Sequence, residues 1–463
     1  MKKTEFKNRA SIWQLIGFAG NNAATNALFV VLGSFFLVYG SDVYGYTTLL
    51  IGFVMGGTRI FDAITDPLIG ILVDKTNTKL GRFRPWMIAG SLLANLMFLI
   101  LFWGIDLGNS TLNLVFIITI YVIWVIGYTF QTSISKAGQN VLTSDPKQRT
   151  TLNAISGMFS VIVFMSAFIL YPIIIPQGFT NVAANWQKLA IIMVVVQLFF
   201  TLIAVLGIWK KDVPENYEIG TVTENPKIKD YISLFKGNKA LQMLIVAAST
   251  NKITMTIGNG LLVFFYAYVV KNPAMQSSVT PVTIIFMVLA TVSILIYTNK
   301  VGRKKAFTIL SIGAMTWGIL SIFILPFAPS SFIMLVFVLG VNSFFMGGTD
   351  LNVIPMIGDA ADYENYTNGR FIPGMIGTSF SLIDKLVSSL GTIISGALLT
   401  MLGFVSLTAT PTSDKLFWGI LIAYFIFPAF GHLCSIIAMK YYPIDNDFMN
   451  HMHKTLEERR NEV

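Results

Sequence analysis

The sequence predicts an all-α membrane protein: twelve transmembrane helices in two six-helix bundles. Three observations carry that expectation. Only 12% of the 463 residues are charged and 54% are hydrophobic, whereas a soluble domain carries about 25% charged residues. The apolar runs are about 20 residues long, the length a helix needs to cross a bilayer, not the ~10-residue alternating segments of a barrel. A long polar interval, KKDVPENYEIGTVTENPKIKDYISLFKGNK, separates six such runs from six more. In lipid every backbone polar group must be satisfied internally, which a helix does within its own segment.

The spans follow in order. The first, 12–39, comes after the polar start MKKTEFKNRA; it is too long for a signal-peptide core and has no small-residue cleavage site. The second, 48–73, carries Arg59, Asp62, Asp66 and Pro67, and the basic loop DKTNTKLGRFRPW leads from it to the third, 86–105. Spans at 112–134, 151–174 and 189–209 complete the first half. The second half places spans at 240–269, 279–298, 306–326, 331–355, 372–402 and 416–440. The expected organisation is a bundle over 1–209, a central loop over 210–238, a second bundle over 239–443 and a tail over 444–463, with no appended regulatory domain.

Charge placement gives topology. The formal charge of +9 would suit nucleic-acid binding if it were clustered, but the bases lie in short loops between apolar runs. Of 32 lysines and arginines, 26 fall on one side, including both termini, and only Lys188, Lys271 and Lys415 on the other. The positive-inside rule then puts both termini in the cytoplasm of a multi-pass plasma-membrane protein. No nucleic-acid partner is expected, and a monomer is. A single cysteine, Cys434, excludes an internal disulfide. Of His432, His451 and His453, the last two could chelate a metal but read as part of a solvated tail.

The two halves also echo each other. A short Gly-Arg loop, LGRFRPW around Gly81, has a counterpart in NKVGRKKAF around Gly302, close to half a chain later. Parallel six-helix repeats of this kind are the plan of the major facilitator superfamily; two ordinary positive-inside loops are the competing reading.

Ionisable groups within spans cost about 2.5–3.5 kcal/mol each on insertion scales and mark function by default. Asp62 and Asp66 are spaced i, i+4, with Arg59 one turn earlier on nearly the same face. That face must avoid lipid. Two carboxylates one turn apart can hold a small cation such as Na⁺ or share a proton, and a packing ion pair with Arg59 is the competing reading. Pro67 would open the helix locally and free carbonyls as further ligands. Asp384 and Lys385 lie mid-span in LIDKLVSSLG, about 100° apart around the helix, and Lys385 could reach the acidic pair. Asp350 and Lys252 are weaker polar intrusions. Asp74, Arg82 and Arg84 at the cytoplasmic end could form a gate that locks the halves together, against a bland reading as interface anchors. Asn21, Asn22, Gln131, Thr132 and Asn259 could either line a sugar cavity or tie helices together. No Ser–His or metal constellation within the spans suggests an enzyme.

RIFDAITDPLIG, LGRFRPW, DPKQRTTLNA, IGDAADYENYTNGR and the lysine of LIDKLVSSLG together resemble the glycoside–pentoside–hexuronide:cation symporters, the melibiose-permease-like branch of the superfamily. The resemblance spans nearly the whole chain. It implies that Asp62 and Asp66 form the coupling-cation site for Na⁺ or H⁺ with Lys385 associated, that Arg59 matches the preceding arginine, and that Asp359, Asp362 and Tyr363 lie in an acidic loop. It also implies a sugar or glycoside substrate and no cofactor beyond the coupling cation. The chain departs from the pattern where the family's sugar-binding carboxylates would stand, at Asn22 and Thr132. Lys136 replaces an aromatic, and an expected arginine is missing near Gly157. Together these changes point toward an anionic sugar bound with help from Lys136. Two alternatives are a transporter of amphipathic lipids or drugs on the same scaffold, and a non-transporting sugar sensor.

Overall fold

The computed structural model describes residues 8–104, 106–175, 182–219, 228–370 and 372–461. Its helices are α1 (Ile12–Asp42), α2 (Thr48–Lys75), α3 (Arg84–Trp103), α4 (Ser110–Leu142), α5 (Pro146–Ile174), α6 (Val182–Ile208), α7 (Ile228–Gly237), α8 (Lys239–Phe264), α9 (Met275–Val301), α10 (Arg303–Ile324), α11 (Phe332–Asn368), α12 (Pro373–Met401), α13 (Asp414–Tyr441) and α14 (Asn446–Asn461). Among the described residues there is no strand, and twelve helices, α1–α6 and α8–α13, are long and apolar enough to cross a membrane.

Local chemistry sets the helix ends. Ser11 opens α1 with a capping box, its hydroxyl accepting from the Gln14 amide while the Gln14 side chain accepts from Ser11 N–H at 2.8 Å. Asn109 caps α4 through its side-chain oxygen, and Ser331 and Ser413 cap α11 and α13 in the same way. Pro67 does not open α2, which runs unbroken through it; the Thr65 hydroxyl bonds the Phe61 and Asp62 carbonyls just before it. The expected local opening is therefore absent.

Several spans are longer than expected. α4 continues to Leu142, so Lys136 lies on the helix and not in a loop. α6 begins at Val182 and takes in Lys188. α11 extends to Asn368, so Asp359, Asp362 and Tyr363 are helical. The helical backbone continues beyond the apolar run in each case, and hydropathy alone truncates it. The tail is likewise structured: in α14, Met452 is fully buried and Phe448 packs against the rings of Tyr363 and Tyr366.

The chain forms two compact units, Met1–Val222 and Thr223–Val463. In the first, α1 packs on α5 and α6, α3 on α4 and α6, and α2 on α4. In the second, α8 packs on α12 and α13, α10 on α11 and α13, and α9 on α11. Each half therefore repeats one packing plan in the same helix order. Close approach relies on small residues: a Cβ on Gly17 of α1 would stand 2.9 Å from Cα of Gly207 on α6. In lipid, where apolar surface gains nothing by leaving the tails, such backbone proximity and polar ties hold helices together.

Candidate functional site

The first unit concentrates charge on α2. Asp62 is 1% exposed and its Oδ1 accepts a hydrogen bond from the Thr129 hydroxyl of α4 at 2.8 Å. The same hydroxyl stands 2.8 Å from the Val125 carbonyl, so its one proton serves either acceptor. Arg59, one turn before Asp62, lays its guanidinium 4.1 Å from the centre of the Phe29 ring of α1. Phe29 stacks on Tyr128, and Tyr128 on Trp124. The Tyr128 hydroxyl lies within electrostatic reach of Arg59, Asp62 and Asp66 together. Asp66 is half-buried one turn beyond Asp62. The arrangement is one fixed base and two carboxylates on a single helix face, walled by aromatics and offered a hydroxyl oxygen by Thr129. Such a group can hold a monovalent cation through oxygen donors or carry a proton. Thr129, Tyr128 and Phe29 were not singled out in the sequence, where a hydroxyl or ring within a span reads equally well as packing.

The polar candidates separate into two groups. The Asn22 amide donates to Ser160 of α5 at 2.9 Å, and Asn26 donates both to Ser160 and to the Asn22 carbonyl. These groups are only partly buried, as is Thr132, whose hydroxyl bonds the Thr129 carbonyl. Gln131 goes elsewhere. It is 1% exposed; its amide nitrogen donates to Thr201, and its oxygen accepts from Gln197 at 3.0 Å. Gln197 in turn accepts from Ser91 and Asn95, and Asn21 donates to the Gln131 carbonyl and to Ser135. Gln131 thus belongs to a buried chain of amides joining α1, α3, α4 and α6, the helix-tying arrangement of the two expected for it. The side chain of Lys136 lies outside the described residues.

In the second unit, Lys252 of α8 and Asp384 of α12 both reach Asp350 of α11 electrostatically. The register of α8 on α12 explains the grouping: a Cβ on Gly391 would meet Thr256, and Ser395 bonds the Ile257 carbonyl, which sets Asp384 and Lys252 between one and two turns apart. Lys385 and Asn259 are half-buried in the same unit.

Arg82 and Arg84 form a clip within their own unit. Asp212, four residues after α6, accepts from the backbone amides of Arg82, Phe83 and Arg84 at 3.0–3.1 Å, from Nε of Arg84 at 3.3 Å and from the Tyr217 hydroxyl at 2.7 Å. Arg84 lies over the Trp209 ring and Arg82 over that of Tyr217. Burial, reinforced by the hydrogen bond to Asp212 and its charge, pushes the Tyr217 hydroxyl up to about 12. The two arginines expected to gate the halves are therefore engaged in tying α2–α3 to the end of α6. Asp74 lies in the last turn of α2, and its side chain lies outside the described residues. Asp212 itself escaped the sequence reading, being an ordinary acid in a polar interval.

A family described as MFS/sugar transport protein matches residues 17–446. The chain belongs to that family. Within it, the chain is a glycoside–pentoside–hexuronide symporter-like protein. This sugar-transport family member is similar to a Bacillus subtilis (strain 168) protein described as uncharacterized symporter YnaJ, with 23% identity over 98% of this chain and 97% of that one. It is also similar to the glucuronide carrier protein homolog of Escherichia coli (strain K12), with 22% identity over 94% of each chain. Among solved structures, the D-xylose–proton symporter superposes with a TM-score of 0.63 at 13% identity, covering 93% of this chain and 97% of that one, which shows a shared fold. The family member is a multi-pass membrane transporter and not an enzyme.

Proposed function

We propose that the chain is a cation-coupled symporter that carries a sugar or glycoside into the cell by alternating access, acting as a monomer in the plasma membrane with both termini in the cytoplasm. The observation that carries this reading is the α2 face of Arg59, Asp62 and Asp66, with Asp62 buried against the Thr129 hydroxyl. A base and two acids at membrane depth carry a net charge of −1, which one bound Na⁺ or H⁺ neutralises. Neutralisation lowers the cost of moving that face through the low-dielectric phase of the cycle. Lys385 joins the cation site in this reading. Asn22, Thr132, Lys136 and Asn259 contribute to the sugar site. Cation and sugar raise each other's affinity by the same factor, and that reciprocity is the thermodynamic content of coupling.

Among glycosides, those bearing a uronic acid are favoured. Asn22 and Thr132 remove two acidic groups, Lys136 adds a base, and one relative is named a glucuronide carrier homolog. The deciding experiment is uptake of paired neutral and uronic glycosides in proteoliposomes under separately imposed Na⁺ and H⁺ gradients. Asp66→Asn is expected to abolish accumulation against a gradient while sparing exchange. Full accumulation in that variant would remove Asp66 from the mechanism, and equal uptake of both glycosides would remove the preference for acids.

A further inference from the structure

We propose that the groove between the end of α5 and the start of α6 binds an anionic glycerophospholipid, with Lys188 taking the phosphodiester and a wall of isoleucines taking an acyl chain. The groove has a volume of about 450 Å³ and is lined by Ile173 and Ile174 of α5 and by Asn185, Lys188, Ile191 and Ile192 of α6. On α6, Asn185, Lys188 and Ile192 stand at i, i+3 and i+7, so polar head and apolar trough share one face. Ile173 is 60% and Ile191 46% exposed.

An apolar trough alone selects no lipid, because a lipid tail is as apolar as the isoleucines and nothing drives one tail there over another. The selective element is charge. Lys188, Lys271 and Lys415 are the three bases on the side of the chain that is poor in them. Two are held by protein: Lys271 lies 5.7 Å over the Phe417 ring, and Lys415 donates to the Met401 carbonyl at 3.2 Å. Among the described residues no carboxylate pairs with Lys188. Asp42, whose charge reaches Tyr171 on α5, has contacts of its own and forms no ion pair with Lys188. Lys188 lies in the second turn of α6. Asn185, one turn earlier, supplies a neutral donor.

A phosphodiester with a neutral glycerol headgroup satisfies the ammonium and the amide together. A choline headgroup brings its own cation against Lys188.

The test uses the full-length purified protein, with native mass spectrometry counting retained lipids after titration with phosphatidylglycerol or phosphatidylcholine of identical chains. The expected result is about tenfold preferential retention of phosphatidylglycerol, the ratio a charge-assisted hydrogen bond supplies. Lys188→Gln collapses the preference. Ile191→Trp fills the trough and lowers retention of both lipids. Glycerol phosphate without chains fails to displace the lipid. An unchanged preference in Lys188→Gln, displacement by glycerol phosphate alone, or retention of neither lipid by the unmodified protein overturns the proposal. Glycoside uptake by Lys188→Gln at the unmodified rate accompanies the expected result, because none of the groove residues belongs to the coupling site.

Discussion

The loops at Gly81 and Gly302 occupy matching places in the two units, and they are fastened by different chemistry. Both glycines adopt positive φ, 96° and 87°, and on each sits a side chain from just beyond its bundle's last helix. At Gly81 that side chain is Asp212, a carboxylate with no exposed surface that gathers three amides, a guanidinium and a phenol. At Gly302 it is Asn446, whose amide donates to the Val301 carbonyl at 3.1 Å, while Lys304 donates to the Tyr442 carbonyl at 2.6 Å. Arg303 turns away to pair with Asp359. The group seated on the first glycine is thus a buried carboxylate and that on the second a neutral amide, with the charged side chains beside Gly302 bonded elsewhere. A buried charge makes its clip an all-or-none device, since removing either partner strands the other, whereas a neutral clip fails gradually.

The sharpest test of that contrast is paired truncation. Asp212→Ala leaves Arg84 buried without its acid and is expected to cost about 3–5 kcal/mol; Asn446→Ala should cost about 0.5–1.5 kcal/mol. Thermal unfolding of the two purified variants compares them, and equal losses would erase the distinction. Next in size is the glycine pair. An L-residue at positive φ costs about 1–3 kcal/mol, but a Cβ at Gly81 also meets the Asp212 backbone carbonyl, while the three nearest atoms to one at Gly302 all belong to the movable Asn446 side chain. Gly81→Ala should therefore lower the melting temperature more than Gly302→Ala.

The smallest effect concerns Tyr217. Its folded-state hydroxyl titrates near 12 against about 10 in an unfolded chain. Between those values the unfolded state loses the proton first, so the stabilisation present below pH 10 drains away as pH rises toward 12. The Tyr217→Phe variant should lack that alkaline component and lose about 1 kcal/mol at neutral pH. The difference between the two pH–stability curves measures it.

The same contrast shows what a sequence makes legible. Span count, the repeat, the family and the charged face of α2 follow from hydropathy, spacing and the cost of charge in lipid, all properties of a segment by itself. Asp212 and Asn446 do not, because their significance lies in a partner more than a hundred residues away and no local pattern marks it. Gln131 and Asn22 show the same limit within a span. Both are polar residues in apolar helices; one is sealed against Gln197 and Thr201 and the other shares a half-open patch with Asn26 and Ser160. Only packing separates them. The ends of α4 and α11 were missed because a helix that leaves the apolar layer keeps its backbone bonds after its hydropathy has gone.

The position of Asp212 in the chain also sets an order of events during synthesis. Arg84 must wait for an acid 128 residues downstream, which at ordinary elongation rates is roughly 6–26 s. Through that interval the Arg84 guanidinium and the amides of Arg82, Phe83 and Arg84 lack the carboxylate that gathers them. The first bundle therefore cannot lock until α6 has been inserted, and the Gly302 loop waits in turn for Asn446, 145 residues beyond its acceptor Val301. Each bundle is closed by a residue just beyond its last spanning helix, so the nascent protein matures in two successive steps.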